Sequence, residues 1–262
     1  MVPFESIPGD PQSRLLFICD HASNAVPPEY DNLGLPAAQF ERHIAWDIGA
    51  AAATRRLAAH FNAPAVLSGF SRLLIDANRG DDDPTLVMRL SDGAIIPGNV
   101  AVDAAEVERR RVRFWRPYRQ AVTGAVARLL ALGQTPVIVS IHSFTPVWRL
   151  VQRPWQMAVL WDADDRIAGP LIAALRTAGV VVGDNEPYDG ALEGDTLHEN
   201  GTALGIPHVL VEFRQDLVAD PAGAATWADH LAMALAPVLT LPATHMVTQR
   251  ASRTRRDPGN PI

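Results

Sequence analysis

Three short apolar runs, none of them alternating with polar residues, constrain this chain more than anything else in it. Leu15-Leu16-Phe17-Ile18-Cys19 leads into Asp20-His21, Val137-Ile138-Val139-Ser140-Ile141 leads into His142, and His208-Val209-Leu210-Val211 leads into Glu212. Short, β-branched, unalternating runs are strands buried on both faces, the kind that build parallel sheets. Open α/β sheets bind ligands at the carboxyl ends of such strands. Two histidines and a carboxylate placed there point to metal-assisted hydrolysis.

The segments between these runs alternate helix-like and strand-like patterns. Ile44 to Phe61 has helical spacing, and Ala65–Leu67 and Leu73–Ile75 are short strand candidates. Asp103 to Leu132 reads as a long helix capped by Asp103 with Glu106 three residues on, stopped by Gly133 and kinked by Pro117. Met157 to Trp161 and Val180 to Val182 read as strands. Ile167 to Ala178 and Ala224 to Leu239 read as helices, and Thr196 to Leu204 as a helical turn. This order predicts an α/β fold of three α/β/α layers around a mostly parallel mixed sheet. A single domain over residues 1–240 is expected, followed by a flexible tail over 241–262. The arginines from Arg253 to Arg256, like Arg109-Arg110-Arg111, read as solvated faces.

Bulk properties remove several function classes. With 29 acidic and 23 basic residues the formal net charge is −6, which argues against a general nucleic-acid binder. A single cysteine rules out an internal disulfide framework and suits a reducing compartment. No apolar stretch approaches the ~20 residues that span a bilayer. Residues 1–10 lack the basic-then-apolar order of a secretion signal. The expectation is a cytoplasmic protein with a small-molecule partner and neither nucleic acid nor membrane. Oligomeric state is left open. Phosphate-loop, GxGxxG, HExxH and GxSxG patterns are absent from the sequence.

The candidate chemistry lies at the run ends. His21 and His142 are the first two candidate metal ligands, since neutral imidazole suits zinc. The plain structural alternative is a strand-end histidine bonded to a loop carbonyl. Asp47 is the preferred third ligand, on the expectation that it shares a helical face with His43; Asn24 competes, although an amide oxygen binds zinc less well than a carboxylate. Glu212 is placed to accept a proton from water and return it to a leaving amine. Its structural alternative is an ion pair with Arg214. Arg72, Asn78 and Arg79 offer forked and amide donors that suit a substrate carboxylate, with Ser23 and Arg214 as further substrate contacts. Their alternative is a salt-bridge cluster with Asp76 and Asp81 to Asp83. Cys19, inside an apolar run, reads as packing rather than as a nucleophile.

Taken together, Asp20-His21-Ala22-Ser23-Asn24, His43-Ile44-Ala45-Trp46-Asp47, Ser71-Arg72 through Asn78-Arg79, Ser140-Ile141-His142-Ser143 and Val211-Glu212-Phe213-Arg214-Gln215-Asp216 resemble the N-formylglutamate amidohydrolase family over roughly residues 15–217. The resemblance implies a fold similar to zinc carboxypeptidases and aspartoacylases, with the metal at the strand ends. It implies Zn²⁺, or another divalent ion such as Co²⁺ or Mn²⁺, on His21, Asp47 and His142, with Glu212 as base. Asp76-Ala77-Asn78-Arg79 resembles the segment by which aspartoacylase-type enzymes hold a substrate carboxylate. The implied reaction cleaves an N-formyl or short N-acyl acidic amino acid such as N-formyl-L-glutamate, in amino-acid catabolism of the histidine-degradation type. Two departures stand out. Asn24 occupies the position where those relatives carry a glutamate ligand, and Asn200 stands where a histidine is expected, with His198 two residues earlier. The alternatives are an amidohydrolase or small carboxypeptidase for a different N-acyl amino acid, and a non-catalytic carboxylate-binding protein on the same fold.

Overall fold

The three apolar runs are strands that lie side by side at the centre of the molecule. The computed structural model describes residues 1–254. Its main sheet contains β1 (Phe4–Ile7), β2 (Leu15–Cys19), β3 (Ala65–Ser68), β4 (Val137–Phe144), β5 (Met157–Leu160), β6 (Val182–Asp184) and β7 (His208–Arg214). Their spatial order is β1-β3-β2-β4-β7-β5-β6. β3, β2, β4 and β7 run parallel. β1 is antiparallel at one edge, and β5 is antiparallel to β7 and parallel to β6. Every residue of β4 is buried, because the strand is flanked on both edges and covered on both faces.

The helices that frame the sheet and the site are α1 (Ala50–Phe61), α2 (Ala104–Arg110), α3 (Arg116–Ala131), α4 (Ala168–Thr177), α5 (Thr196–Asn200) and α6 (Pro221–Val238). Alternate strand residues serve opposite faces. Phe17, Val139 and Val211 pack with Leu57, Leu171 and Leu231 of α1, α4 and α6. Leu16, Ile18 and Ile138 pack on the other side with Tyr118, Val122 and Val126 of α3. The outcome is the three-layer mixed sheet that the alternation predicts. Asp103 caps α2 by accepting the Glu106 N–H. Between α2 and α3 a π-helical turn, Arg111–Trp115, takes up the disruption of Pro117, which lacks an N–H and crowds the preceding turn.

Four expectations need correction. Arg110, read as part of a solvated face, is buried and donates to Glu106, Leu74 O and Asn99 Oδ1. The predicted helix from Ile44 begins only at Ala50, because Gly49 is left-handed with φ 81°. A Cβ on Gly49 would lie 2.2 Å from the Val218 carbonyl oxygen, so the turn is closed against that backbone. Asp47 therefore sits in a loop, and the shared helical face with His43 does not exist. Leu73–Ile75 is a buried turn rather than a strand; an apolar run alone cannot distinguish the two. Residues 241–254, expected as part of a flexible tail, are fastened to the domain: Thr248 N–H donates to Gly205 O at 2.8 Å, and Arg253 bonds to Asp162 and Asp189. The remainder of that tail, 255–262, lies outside the described residues. Among the described residues no helix is long and apolar enough to cross a membrane.

Candidate metal centre

The strand order delivers the site. β2 hands the chain to Asp20 and His21, while β4 carries His142 and β7 carries Glu212. The register of β4 with β7 pairs His142 with Glu212 directly. Asp47 arrives from the loop before α1, where its own N–H donates to His21 O at 2.9 Å.

His21, Asp47 and His142 are all buried, and one ligand atom from each lies within 4.8 Å of the others. Asp47 Oδ2 is 3.5 Å from His21 Nδ1 and 2.7 Å from His142 Nδ1. The far nitrogen of each ring meets another carboxylate: His21 Nε2 is 2.7 Å from Asp76 Oδ1, and His142 Nε2 is 3.2 Å from Asp20 Oδ2. Those carboxylates are themselves held. Asp20 accepts from Tyr118 Oη, Thr196 Oγ1 and Ser140 Oγ. Asp76 accepts a two-pronged contact from Arg72 and the Asn78 N–H. A carboxylate behind each imidazole fixes its tautomer and its direction.

The electrostatics follow from this packing. Burial opposes the charge on Asp47, yet the two imidazoles hold it well below the usual carboxylate range. Burial likewise opposes charge on Asp76, and Arg72 and His21 outweigh it. Asp20 is pulled down to about 2 despite burial, chiefly by His142 and Thr196. Burial disfavours the His142 imidazolium, but hydrogen bonds to Asp20 and Asp47 prevail and raise it to about 10.

His21 Nδ1 is buried without a hydrogen-bond partner among the described residues, and it faces Asp47 and His142. Two ring nitrogens and one carboxylate oxygen, aimed at one point and backed by carboxylates, fit a divalent transition metal. Three protein ligands leave a coordination position free, as catalytic sites do.

Beside this point lies a cavity of ≈ 360 Å³. Glu212 lines it, and its Oε2 is a buried oxygen with no hydrogen-bond partner among the described residues. Burial, together with the neighbouring Asp47 charge and partly offset by His142, raises Glu212 to about 7. Arg72, Asn78 and Arg79 line the same cavity. Arg72 is engaged with Asp76, Asn78 Oδ1 accepts the Thr196 N–H, and Arg79 donates to Thr85 and to Asn78 O. Ser23 and Arg214 are not among the lining residues: Ser23 Oγ accepts the Ala25 N–H, and Arg214 pairs with Asp216 at 2.7 Å. Asn24 turns away to donate to Phe40 O. Asn200 is buried in bonds to Thr123 and Thr196 and is not among the residues that line the cavity. Burial pushes the Cys19 thiol far up, which suits a packing role.

Sequence reading missed the residues that hold the ligands. Asp20 and Asp76 adjoin recognised positions, yet nothing local shows that they face His142 and His21. It also missed His43, Tyr188, Asp195 and Gln215 in the cavity wall. Asp195 also caps α5 by accepting the His198 N–H.

The sequence matches the model of the N-formylglutamate amidohydrolase family over residues 13–219. A gene product of Agrobacterium tumefaciens of known structure superposes with a TM-score of 0.85 at 33% identity, covering 91% of this chain and 95% of that one. An N-formylglutamate amidohydrolase from Ralstonia eutropha superposes with a TM-score of 0.63 at 21% identity, covering 91% and 97%, a likeness of fold. No curated protein matches the sequence.

Proposed function

This chain belongs to the N-formylglutamate amidohydrolase family, a family of amide hydrolases, and we propose that it is a cytoplasmic, divalent-metal-dependent enzyme that releases formate, or a short acid, from an N-formyl or short N-acyl acidic amino acid such as N-formyl-L-glutamate. The observation that carries this reading is the unpartnered His21 Nδ1 facing Asp47 and His142 beside the unpartnered Glu212 oxygen.

His21, Asp47 and His142 hold Zn²⁺, or Co²⁺ or Mn²⁺, in this reading. A divalent ion there supplies Lewis acidity toward an acyl carbonyl and lowers the pKa of water. Glu212 takes a proton from the attacking water and delivers it to the departing nitrogen. Its elevation to about 7 matches a group that must accept and then give up a proton near neutrality. Asn78 and Arg79 bind substrate carboxylate. Arg72 keeps Asp76, and through it His21, in place, while its Nη1 lies 3.8 Å from Asp47 Oδ1 at the cavity wall. From there it stabilises negative charge developing on the carbonyl oxygen. The apolar wall of Leu160, Leu192 and Leu210 favours a second reading, a longer acyl group than formyl on the same machinery.

The test is release of the free amino acid from N-formyl-L-glutamate, set beside N-acetyl-L-glutamate and N-formyl-L-alanine. Turnover of the first two with little of the third supports the acidic side chain. Turnover of none of the three, with metal bound, removes this substrate class.

A further inference from the structure

The described part of the C-terminal segment crosses the domain and reaches the loop that forms one wall of the cavity. Arg166 donates to Ala243 O and Met246 O, and Thr248 N–H donates to Gly205 O. Arg250 donates to Ala163 O and pairs with Asp165. Arg253 then makes five bonds. Its N–H donates to Asp162 Oδ1 (2.8 Å), its Nε to Asp162 O (3.1 Å) and its Nη2 to Trp161 O (2.7 Å). Nη2 and Nη1 also grip the two oxygens of Asp189 at 2.6 and 3.1 Å.

Asp189 belongs to the loop that supplies Tyr188, Asp189, Gly190 and Leu192 to the cavity. That loop approaches the end of β5 so closely that a Cβ on Gly190 would lie 2.2 Å from Trp161 N. Asn185 Oδ1 accepts from both Trp161 N–H and Gly190 N–H. Arg253 bridges the same two stretches from outside. An isolated exposed ion pair is worth little. A forked pair combined with two carbonyl bonds on one guanidinium is a network, and it fixes a geometry. The segment lies beyond residue 219, outside the stretch shared with the family model.

We infer that Arg253 is a positioning residue that clamps the 185–192 loop into the cavity wall and screens the Asp189 carboxylate from an anionic substrate. The screening part rests on the substrate class proposed above, while the clamp does not.

Hydrogen exchange on the full chain tests the clamp. In Arg253→Ala, amides of residues 186–192 should exchange at least about fivefold faster, with those of β4 and β7 unchanged. KM for N-formyl-L-glutamate should rise roughly fivefold with kcat within about twofold, the pattern of lost binding rather than lost chemistry. Arg253→Lys, which keeps the charge without the fork, should recover KM more than it recovers exchange. Asp189→Asn breaks the pair from the other side. It should speed exchange without raising KM, and it serves if Arg253→Ala does not fold. Unchanged exchange in both variants overturns the clamp. Faster exchange with unchanged KM in Arg253→Ala overturns the screening. If the unaltered protein turns over none of the acidic substrates, the substrate reading fails and exchange still decides the clamp.

Discussion

His142 and Glu212 stand opposite one another in the register of two adjacent parallel strands, both buried and both facing the same cavity. A paired register fixes their spacing through the backbone ladder. A candidate ligand and a candidate base therefore keep their relation without help from a loop. The rigidity matters because proton transfer demands groups within hydrogen-bond reach of the reacting atoms.

Glu212→Gln removes the base and keeps the shape. Turnover should fall by about 10² to 10⁴, with metal content and melting temperature little changed. Steady-state rates paired with metal analysis check this. A rate within about threefold of the original would remove Glu212 from the chemistry.

Asp76→Asn and Asp20→Asn leave the three ligands in place but weaken their backing. Each should lower metal affinity roughly 10- to 100-fold, read by competition with a chromophoric chelator. Asp76→Asn should have a second effect, since it also frees Arg72. Unaltered affinity in both would mean that the carboxylates do not orient the rings.

Protons compete with metal at His142. In the metal-free site this ring titrates at about 10, so at neutral pH it carries a proton that a metal must displace. Affinity should fall about tenfold per unit of pH lowered below neutrality, and calorimetry in buffers of different ionisation enthalpy should register about one proton released. The same shift governs the stability of the metal-free protein. A pKa raised above the unfolded value of ~6.5 stabilises fully below that pH, and the contribution disappears as pH climbs through about 10. The chelated protein should therefore melt at progressively lower temperature on going from pH 7 to 10. Proton-neutral metal binding would contradict the assignment of His142.

Arg79→Ala should raise KM several-fold for substrates with a free carboxylate, about 2 kcal/mol at most given the partial exposure of the group, and should leave their methyl esters nearly unaffected. Equal effects on acid and ester would show that Arg79 does not recognise the carboxylate.

The central strands were legible because β2, β4 and β7 are buried on both faces and so need continuous apolar runs. Their ends then exposed His21, His142 and Glu212 as candidates. The spacing of the segment carrying Asp47 is helical in sequence, and only the left-handed Gly49 interrupts it. Leu73–Ile75 looked like a strand because a buried turn needs the same apolar residues. The supporting carboxylates were hidden for a different reason. Asp76 reaches His21 across 55 positions and Asp20 reaches His142 across 122, distances over which local pattern carries no signal. Arg253 read as a solvated charge because its partners, Asp162 and Asp189, lie 91 and 64 positions away.

Metal removal and return test the account most directly. The protein is purified without chelator, its metal content is measured, and formate release from N-formyl-L-glutamate is followed before stripping, after stripping and after adding back Zn²⁺, Co²⁺ or Mn²⁺. The expected result is about one ion per chain, loss of formate release on stripping, recovery on return, and neither binding nor recovery in His21→Ala. Formate release that continues at the same rate in the stripped protein would contradict a metal centre at His21, Asp47 and His142.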